Sequence, residues 1–480
     1  MTDAALTAPE SQSFPLRVAE LNIGAGSWPC PEDKLGRDKE IENLSPVLLN
    51  AQAPLVFALD APWGGGKTTF IKLWQCFLES ESKVSLYLNA WESDFSEDPL
   101  LALLSTFDTL FAAVDDQSTA KKAWENAKKC GPGLLKSTAI AATKAATFGG
   151  LDLDKEYEKL VAEITGGLTG SLIDSFNIQK ATLVRFKEQI SIALDALPDH
   201  QQNLIIFVDE LDRCRPTYAI EVLERIKHLF DIDRVVFVLA INRDQLSKSL
   251  QGVYGPNFDG LHYLKRFIDL DYQLRVPDIT AYVDAKFSLK VIVSSFNAIS
   301  DRYGKDFCVT TRDMTAWLAT RFDYQPRDID QFVTRLRLIL RSIPNNQKME
   351  PAVLTCMLFL RHHDKDLYYR FKHDSSCVNQ VINFLVGEDI EKVELIRGFG
   401  WMMGFLLRSC YDEHLGAIPE GIMQYWNDLH EKLDETSDSK REVAGLIRQS
   451  TNFNDSWGIS EIRQTAFERI ELVSKIDVSA

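Results

Sequence analysis

A glycine-rich turn between a hydrophobic strand and a helix constrains the fold of this chain most. The run PLVFALD ends at Asp60 and leads directly into APWGGGKTTFIKLW. Gly66, Lys67 and Thr68 fit the end of the phosphate-loop pattern G-x-x-x-x-G-K-[ST], whereas Ala61 stands in place of the first glycine. The arrangement predicts a nucleotide site, and the alternative is a glycine-rich turn before an ordinary helix.

The loop can still bind phosphate although its first glycine is replaced by alanine. Three successive glycines still let backbone N–H groups close around a phosphate at a helix N-terminus. We expect Lys67 to reach the β and γ phosphates of a nucleotide and the Thr68 hydroxyl to bind Mg²⁺. The residues expected to contact the nucleotide from this loop are Trp63, Gly64, Gly65, Gly66, Lys67, Thr68 and Thr69. For Trp63, packing is the alternative interpretation.

Further β-rich runs predict an α/β fold with a doubly wound parallel sheet. Five β-rich runs lie at residues 54–60, 84–91, 203–210, 234–242 and 267–276, separated by helical patterns. The first four are near-continuous apolar stretches, which is typical of parallel strands buried on both faces. A mostly helical insertion is expected at 92–202. Its segment 120–150 carries six lysines and one glutamate.

Polar residues end two of these strands at the sheet edge where ligands of such folds bind. Asp209 and Glu210 follow LIIFV, and we expect Asp209 to hold Mg²⁺ through water and Glu210 to orient and deprotonate the attacking water. Two solvated carboxylates are the alternative. Asn242 ends the next strand and could bond the γ-phosphate or the water, although asparagine also commonly forms turns.

Three arginines complete the candidate site. Arg266, beside Lys265 in HYLKRFIDL, is placed to supply a cation to a neighbouring subunit's site, with an ordinary surface arginine as the alternative. Arg37 precedes the first strand and Arg327 opens a later helix, and both are predicted as nucleotide contacts.

Together, PWGGGKTTF, YLNAW, FVDELDRCRP, VVFVLAINRDQL and HYLKRFIDL resemble the KAP family of P-loop NTPases. The resemblance covers roughly residues 30 to 340. It implies an ATPase that needs ATP and Mg²⁺, a helical lid and oligomerisation. By position it gives Asn242 the sensor role, Arg266 the arginine-finger role and Arg327 a second-sensor role.

The predicted organisation has four parts. They are an N-terminal tail (1–30), a P-loop NTPase core (31–278), a helical lid (279–348) and a C-terminal helical domain (349–480). Many relatives carry a transmembrane hairpin between the two phosphate motifs. Here Lys136 and Lys144 lie in the most apolar part of that interval, so we expect no transmembrane segment.

Cysteine usage and charge indicate the compartment of the protein and the partners that it can bind. The eight cysteines are scattered without metal-binding spacing, and no signal-peptide pattern opens the chain, so we expect a reduced, cytoplasmic protein. The net charge of −16 disfavours a wholesale nucleic-acid binder. Nucleic acid stays possible through local basic patches, the lysines at 121–144 and an arginine series at 321–341.

We therefore expect an ATP-hydrolysing oligomeric switch or remodeller, active in bacterial anti-phage or mobile-element defence with an operon-encoded effector. The defence role rests on family analogy alone. Two alternatives remain open. One is a nucleotide-dependent scaffold with little turnover, and the other is a DNA-stimulated motor or sensor.

Overall fold

A computed structural model gives the architecture of the chain. It describes residues 28–475 except for 31–32, 34, 113, 136–171, 198–201, 276–277, 289–306, 344–348, 388–392, 413, 416, 435–436 and 452–458. The predicted N-terminal tail, apart from its last three residues, and both Lys136 and Lys144 lie outside the described residues. The described chain forms two compact units, separated at residues 276–277.

The first unit is built on a five-stranded sheet in which every pairing is parallel, in the order β2-β3-β4-β1-β5. The strands are β1 Leu55–Asp60, β2 Ser85–Asn89, β3 Leu204–Asp209, β4 Val235–Ile241 and β5 Leu270–Gln273. This confirms the predicted α/β fold class. The two outermost strands are β2 and β5.

Burial explains why the central strands read as continuous apolar runs. Every residue of β3 and β4 is buried, because helices cover both faces of the sheet. The mostly exposed β5 is shorter than its predicted run of 267–276, because Phe267 and Ile268 still belong to a turn, in which the N–H of each donates to the Leu264 carbonyl. Pairing with β1 begins only where the Asp269 N–H donates to Val56.

Helices flank and connect these strands. They are α1 Asp38–Leu49, α2 Lys67–Ser80, α3 Pro99–Ala112, α4 Thr119–Leu134, α5 Leu172–Asp195, α6 Pro216–Leu229, α7 Arg243–Tyr254 and α8 Gly260–Leu264. The described parts of the insertion are mostly helical apart from turns such as 92–98, and Trp124 of α4 stacks on Phe107 and Phe111 of α3. A short 3₁₀ turn, Leu211–Arg213, follows β3.

The described part of the second unit consists of helices. They are α9 Ile279–Phe287, α10 Phe307–Arg321, α11 Pro326–Ser342, α12 Pro351–His363, α13 Lys365–His373, α14 Val378–Val386, α15 Val393–Arg408, α16 Glu420–Lys432, α17 Asp438–Thr451 and α18 Ile459–Ser474. Helices on both sides of the predicted boundary at 348 pack together, α10 against α12 and α11 against α18. None of the helices within the described ranges combines the length and apolarity needed to cross a membrane.

Candidate nucleotide site

The phosphate loop folds as the glycines predict. Gly64 and Gly66 have φ values of 81° and 88°, a region open to glycine at little cost. A Cβ on Gly65 would lie 3.1 Å from the Pro62 carbonyl oxygen. Ala61 belongs to the end of the sheet, because its N–H donates to the Ile241 carbonyl over 3.2 Å. The substituted glycine position therefore lies outside the strained part of the turn.

Lys67, the first residue of α2, is buried inside the loop. Its ammonium donates to the Ala61 carbonyl over 2.7 Å and to the Pro62 carbonyl over 3.3 Å. Burial lowers the pKa of Lys67, while the nearby carboxylates of Asp212 and Asp209 oppose that shift. The loop thus holds a desolvated cation where an anion would bind.

Asp209 ends β3 and faces the same loop. It is 1% exposed, and its carboxylate accepts hydrogen bonds from the Thr68 hydroxyl and, over 3.2 Å, from the Tyr87 hydroxyl. Burial raises the pKa of Asp209, although the hydrogen bond from Thr68 opposes the shift. The structure brings these predicted Mg²⁺ ligands into direct contact.

Glu210 adopts a left-handed backbone conformation with φ at 61°, which is uncommon for a residue other than glycine. The Glu210 N–H donates to the Asp209 carboxylate over 2.8 Å. Its own carboxylate is held from two sides, by the Asn89 amide over 3.2 Å and by the Arg213 guanidinium. Such strain clusters at functional sites, where surrounding contacts maintain it.

Asp212 is a residue that sequence reasoning did not place in the site. It is 8% exposed, and its carboxylate accepts the Trp63 indole N–H over 2.6 Å and the Asn242 backbone N–H over 3.1 Å. The Asn242 side-chain oxygen caps α7 by accepting the Gln245 N–H over 3.1 Å. The third acidic residue of DELDR was the available signal.

Arg37 takes part in packing near the end of β5. It is 2% exposed, pairs with Glu40 over 2.7 Å and donates to the Arg275 carbonyl over 2.8 Å. Its guanidinium also lies 6.0 Å from the ring of Phe70. A direct nucleotide contact by Arg37 stays a prediction.

The other two predicted arginines belong to elements other than the loop. Arg266 is exposed, lies 5.6 Å from the Tyr263 ring and precedes β5 at the amino end of the sheet. Lys67 and Asp209 lie at the carboxyl end, so Arg266 does not reach the site of its own chain. Arg327 is in the first turn of α11 in the second unit, and its sensor role stays a prediction.

Comparison with known proteins identifies the family. The sequence model described as the KAP family P-loop domain matches residues 37–343. The chain belongs to the KAP family. It is also 23% identical over 258 residues to the phage T7 exclusion protein of Escherichia coli strain K12. That alignment covers 52% of this chain and 34% of the relative, so the chain matches about a third of the relative's length.

Membership in this family of P-loop NTPases implies a nucleotide and usually Mg²⁺, and the donor set of the KAP domain fits both. Thr68 and Asp209 offer a hydroxyl and a carboxylate oxygen side by side, the hard ligands that Mg²⁺ prefers. Lys67 supplies a buried positive charge beside the glycine turn. Thr69, the next residue of α2, is partly buried, and its contact with nucleotide stays a prediction.

Proposed function

We propose that this KAP protein binds ATP with Mg²⁺, hydrolyses it, and uses the cycle as an oligomeric switch or remodeller. The observation that supports this most directly is the meeting of Lys67, Thr68, Asp209 and Glu210 at the carboxyl ends of β1 and β3. Those residues come from segments more than 130 positions apart. A glycine turn without a catalytic role would not need a buried cation and a strained carboxylate beside it.

Each residue has a distinct part in the proposal. The loop N–H groups and Lys67 bind the phosphates, and Thr68 and Asp209 would hold Mg²⁺, which neutralises phosphate charge when bound. Glu210 accepts the proton of the attacking water. Asn242 orients the γ-phosphate or the water, in addition to capping α7.

Assembly of several copies would complete the site. Because Arg266 lies at the other end of the sheet, it would act in the site of a neighbouring copy, where a cation stabilises charge on the transferred phosphoryl group. Arg327 would report the nucleotide state to the helices of the second unit. The protein would act in the cytoplasm.

The biological setting follows from the relative's name. A protein described as a phage T7 exclusion protein shares the aligned region, which favours a role in defence against phage or mobile elements. An operon-encoded effector would then carry the damaging chemistry. Infection of cells carrying this gene with and without its neighbours, followed by plaque counts, tests that part.

The decisive experiment on catalysis compares Glu210→Gln with Glu79→Gln, an exposed glutamate on α2. We expect Glu210→Gln to bind a fluorescent ATP analogue with unchanged affinity while phosphate release falls about 100-fold or more, because the general base is lost. Glu79→Gln should match the wild type in both assays. Unchanged phosphate release in Glu210→Gln would refute hydrolysis at this site.

One observation favours the scaffold as a second candidate. Each carboxylate oxygen of Glu210 already accepts a hydrogen bond, one from Asn89 and one from Arg213, so an attacking water would have to share these oxygens. A scaffold would bind ATP and release little phosphate in every partner state. Turnover that rises on adding the neighbouring gene products would instead favour the switch.

The contacts of the basic insertion give less support to nucleic-acid binding. Lys128 pairs with Asp108 and Glu125, and Lys121 donates to the Phe111 carbonyl over 2.8 Å. These lysines therefore have partners within the fold. DNA-stimulated turnover that falls steeply with salt would restore this candidate.

A further inference from the structure

The loop after β2 displays two aromatic side chains to solvent. Phe95 is 90% exposed and Trp91 is 52% exposed, and the exposed carboxylates of Glu92 and Glu97 lie beside them in the chain. We call these four residues the loop face. Aromatic side chains surrounded by charges are typical of binding hot spots with a polar rim.

The loop face is held in place from inside. Arg215 donates to the Asp94 carboxylate from its backbone N–H over 2.8 Å and from Nε over 2.9 Å, and its guanidinium also donates to the Asp94 carbonyl. On the other side, the Glu92 N–H and the Ser93 hydroxyl donate to Asn89 over 3.1 and 3.0 Å. A loop ordered before contact loses less entropy on binding.

A second exposed surface has the opposite charge. It consists of Tyr254, Leu261, Lys265 and Arg266, which we call the helix face. Tyr254 and Leu261 are 46% and 40% exposed. Tyr263 lies between Tyr254 and Arg266, with its hydroxyl 3.4 Å from the Tyr254 hydroxyl and its ring beneath the Arg266 guanidinium. Two acids lie nearby: Asp259 caps α8 through the His262 N–H over 2.9 Å, and Glu224 acts electrostatically on Tyr263.

The two faces lie on different sides of the same unit. The loop face follows β2 at the carboxyl end of the sheet, whereas the helix face precedes β5 at the amino end, and β2 and β5 are the two edge strands. One chain can therefore present one face to each of two neighbours. Acidic and aromatic groups on one face match basic and aromatic groups on the other.

We propose that the loop face of one copy docks on the helix face of a second copy. Such a head-to-tail contact repeats, so it produces a closed ring or an open filament. The inference rests on the proposed ATP-driven assembly and supplies the two surfaces that the assembly uses. It also brings Arg266 of one copy next to the loop that borders the nucleotide site of another.

Docking would act on the groups that hold Glu210. Asn89 anchors the loop face and also donates to the Glu210 carboxylate, and the Arg213 guanidinium lies 5.7 Å from the Trp91 ring. A neighbour seated on Trp91 therefore contacts the surroundings of both Glu210 partners. Release of Glu210 would then depend on assembly.

The test uses one variant on each face of the full chain, Phe95→Ser and Leu261→Ser, with Val47→Ser as a control on α1. Val47 is 57% exposed and belongs to neither face. Circular dichroism checks that all variants fold. Sedimentation velocity gives the mass with and without Mg-ATP, and binding of a fluorescent ATP analogue is measured on the same samples.

We expect the wild type and Val47→Ser to associate and each face variant to need about tenfold or more protein to do so, because each loses an apolar side chain that docking would bury. An equimolar mixture of the two face variants should form a species of two chains and stop there. In that mixture only one interface has both faces intact. Phe95→Ser that assembles like the wild type overturns the inference, as does a mixture that forms no two-chain species.

The outcomes separate this inference from the proposed function. A wild type that binds the analogue yet keeps the mass of one chain in every nucleotide state overturns the inference and leaves ATP binding intact. A wild type that associates through both faces and binds no analogue supports the inference and refutes ATP binding. Loss of association in both face variants, without rescue on mixing, points to another partner for these surfaces and also overturns it.

Discussion

The indole nitrogen of Trp63 lies 2.6 Å from a carboxylate oxygen of Asp212, and this bond joins the phosphate loop to the turn after β3. The same carboxylate oxygen accepts the Asn242 backbone N–H over 3.1 Å. Three segments around the nucleotide site therefore share one buried acceptor. A shift of the loop on nucleotide binding would be transmitted to Asn242 through Asp212.

We expect Trp63→Phe to weaken binding of a fluorescent ATP analogue about five- to tenfold. The substitution keeps the ring and removes one hydrogen bond to a carboxylate, a bond worth roughly 1 to 2 kcal/mol. Trp28→Phe is the matched control, because its indole donates to Glu42 over 2.8 Å away from the loop. Equal losses in both variants would contradict a specific role for Trp63.

The double variant Trp63→Phe, Asp212→Asn tests whether the two residues act as one unit. Asp212→Asn alone should weaken binding of the analogue more than Trp63→Phe does, since it also removes a negative charge that stabilises the Lys67 ammonium. Adding Trp63→Phe to it should then cost about twofold or less. If the losses of analogue affinity in the two single variants add up fully in the double variant, the bond between Trp63 and Asp212 is not the cause of the weaker binding.

Arg213→Ala should raise phosphate release in the absence of a partner, by about two- to tenfold. Its guanidinium bonds to one oxygen of Glu210, and removal frees that oxygen while Asn89 still holds the other. Lys227→Ala, which removes an ion pair with Asp269 near the amino end of the sheet, serves as the control. A fall in phosphate release would assign Arg213 to catalysis instead.

Restoring the missing glycine should not improve the site. Ala61 is 3% exposed and extends the strand, so Ala61→Gly loses a buried methyl group and gains backbone freedom in the unfolded chain. We expect the free energy of unfolding in urea to fall by about 1 to 2 kcal/mol, as for Ala58→Gly in the adjoining β1, with analogue affinity within about twofold. A tenfold gain in affinity would show that Ala61 distorts the loop.

The sequence was sufficient for the parts of the site that depend on strand order. Parallel strands end at one edge, so Asp209 and Lys67 could be placed together from their motifs alone. The left-handed conformation of Glu210 and the position of Asp212 depend on a 3₁₀ turn, and no periodicity marks that turn. The packing of Arg37 could not be predicted from the sequence, because its bond to the Arg275 carbonyl joins segments that are 238 positions apart.

The buried carboxylate of Asp209 predicts a pH dependence that Mg-ATP should remove. Its pKa in the folded chain is raised above 3.8 by burial, so the folded state binds a proton there more readily than the unfolded state. Stability from this group is full below pH 3.8 and is lost as pH rises through the folded-state pKa. Wild type should therefore lose stability relative to Asp209→Asn over that rise.

Urea unfolding of both proteins at successive pH values between about 4 and 7 measures this difference directly. Without nucleotide, the free energy of unfolding of Asp209→Asn should rise relative to that of the wild type as pH increases. With Mg-ATP the order should reverse, because a cation beside the ionised carboxylate compensates its desolvation and the asparagine offers no charge. Parallel pH profiles without nucleotide would show that burial does not penalise the Asp209 carboxylate, and an unchanged order with Mg-ATP would remove Asp209 from the proposed Mg²⁺ ligands.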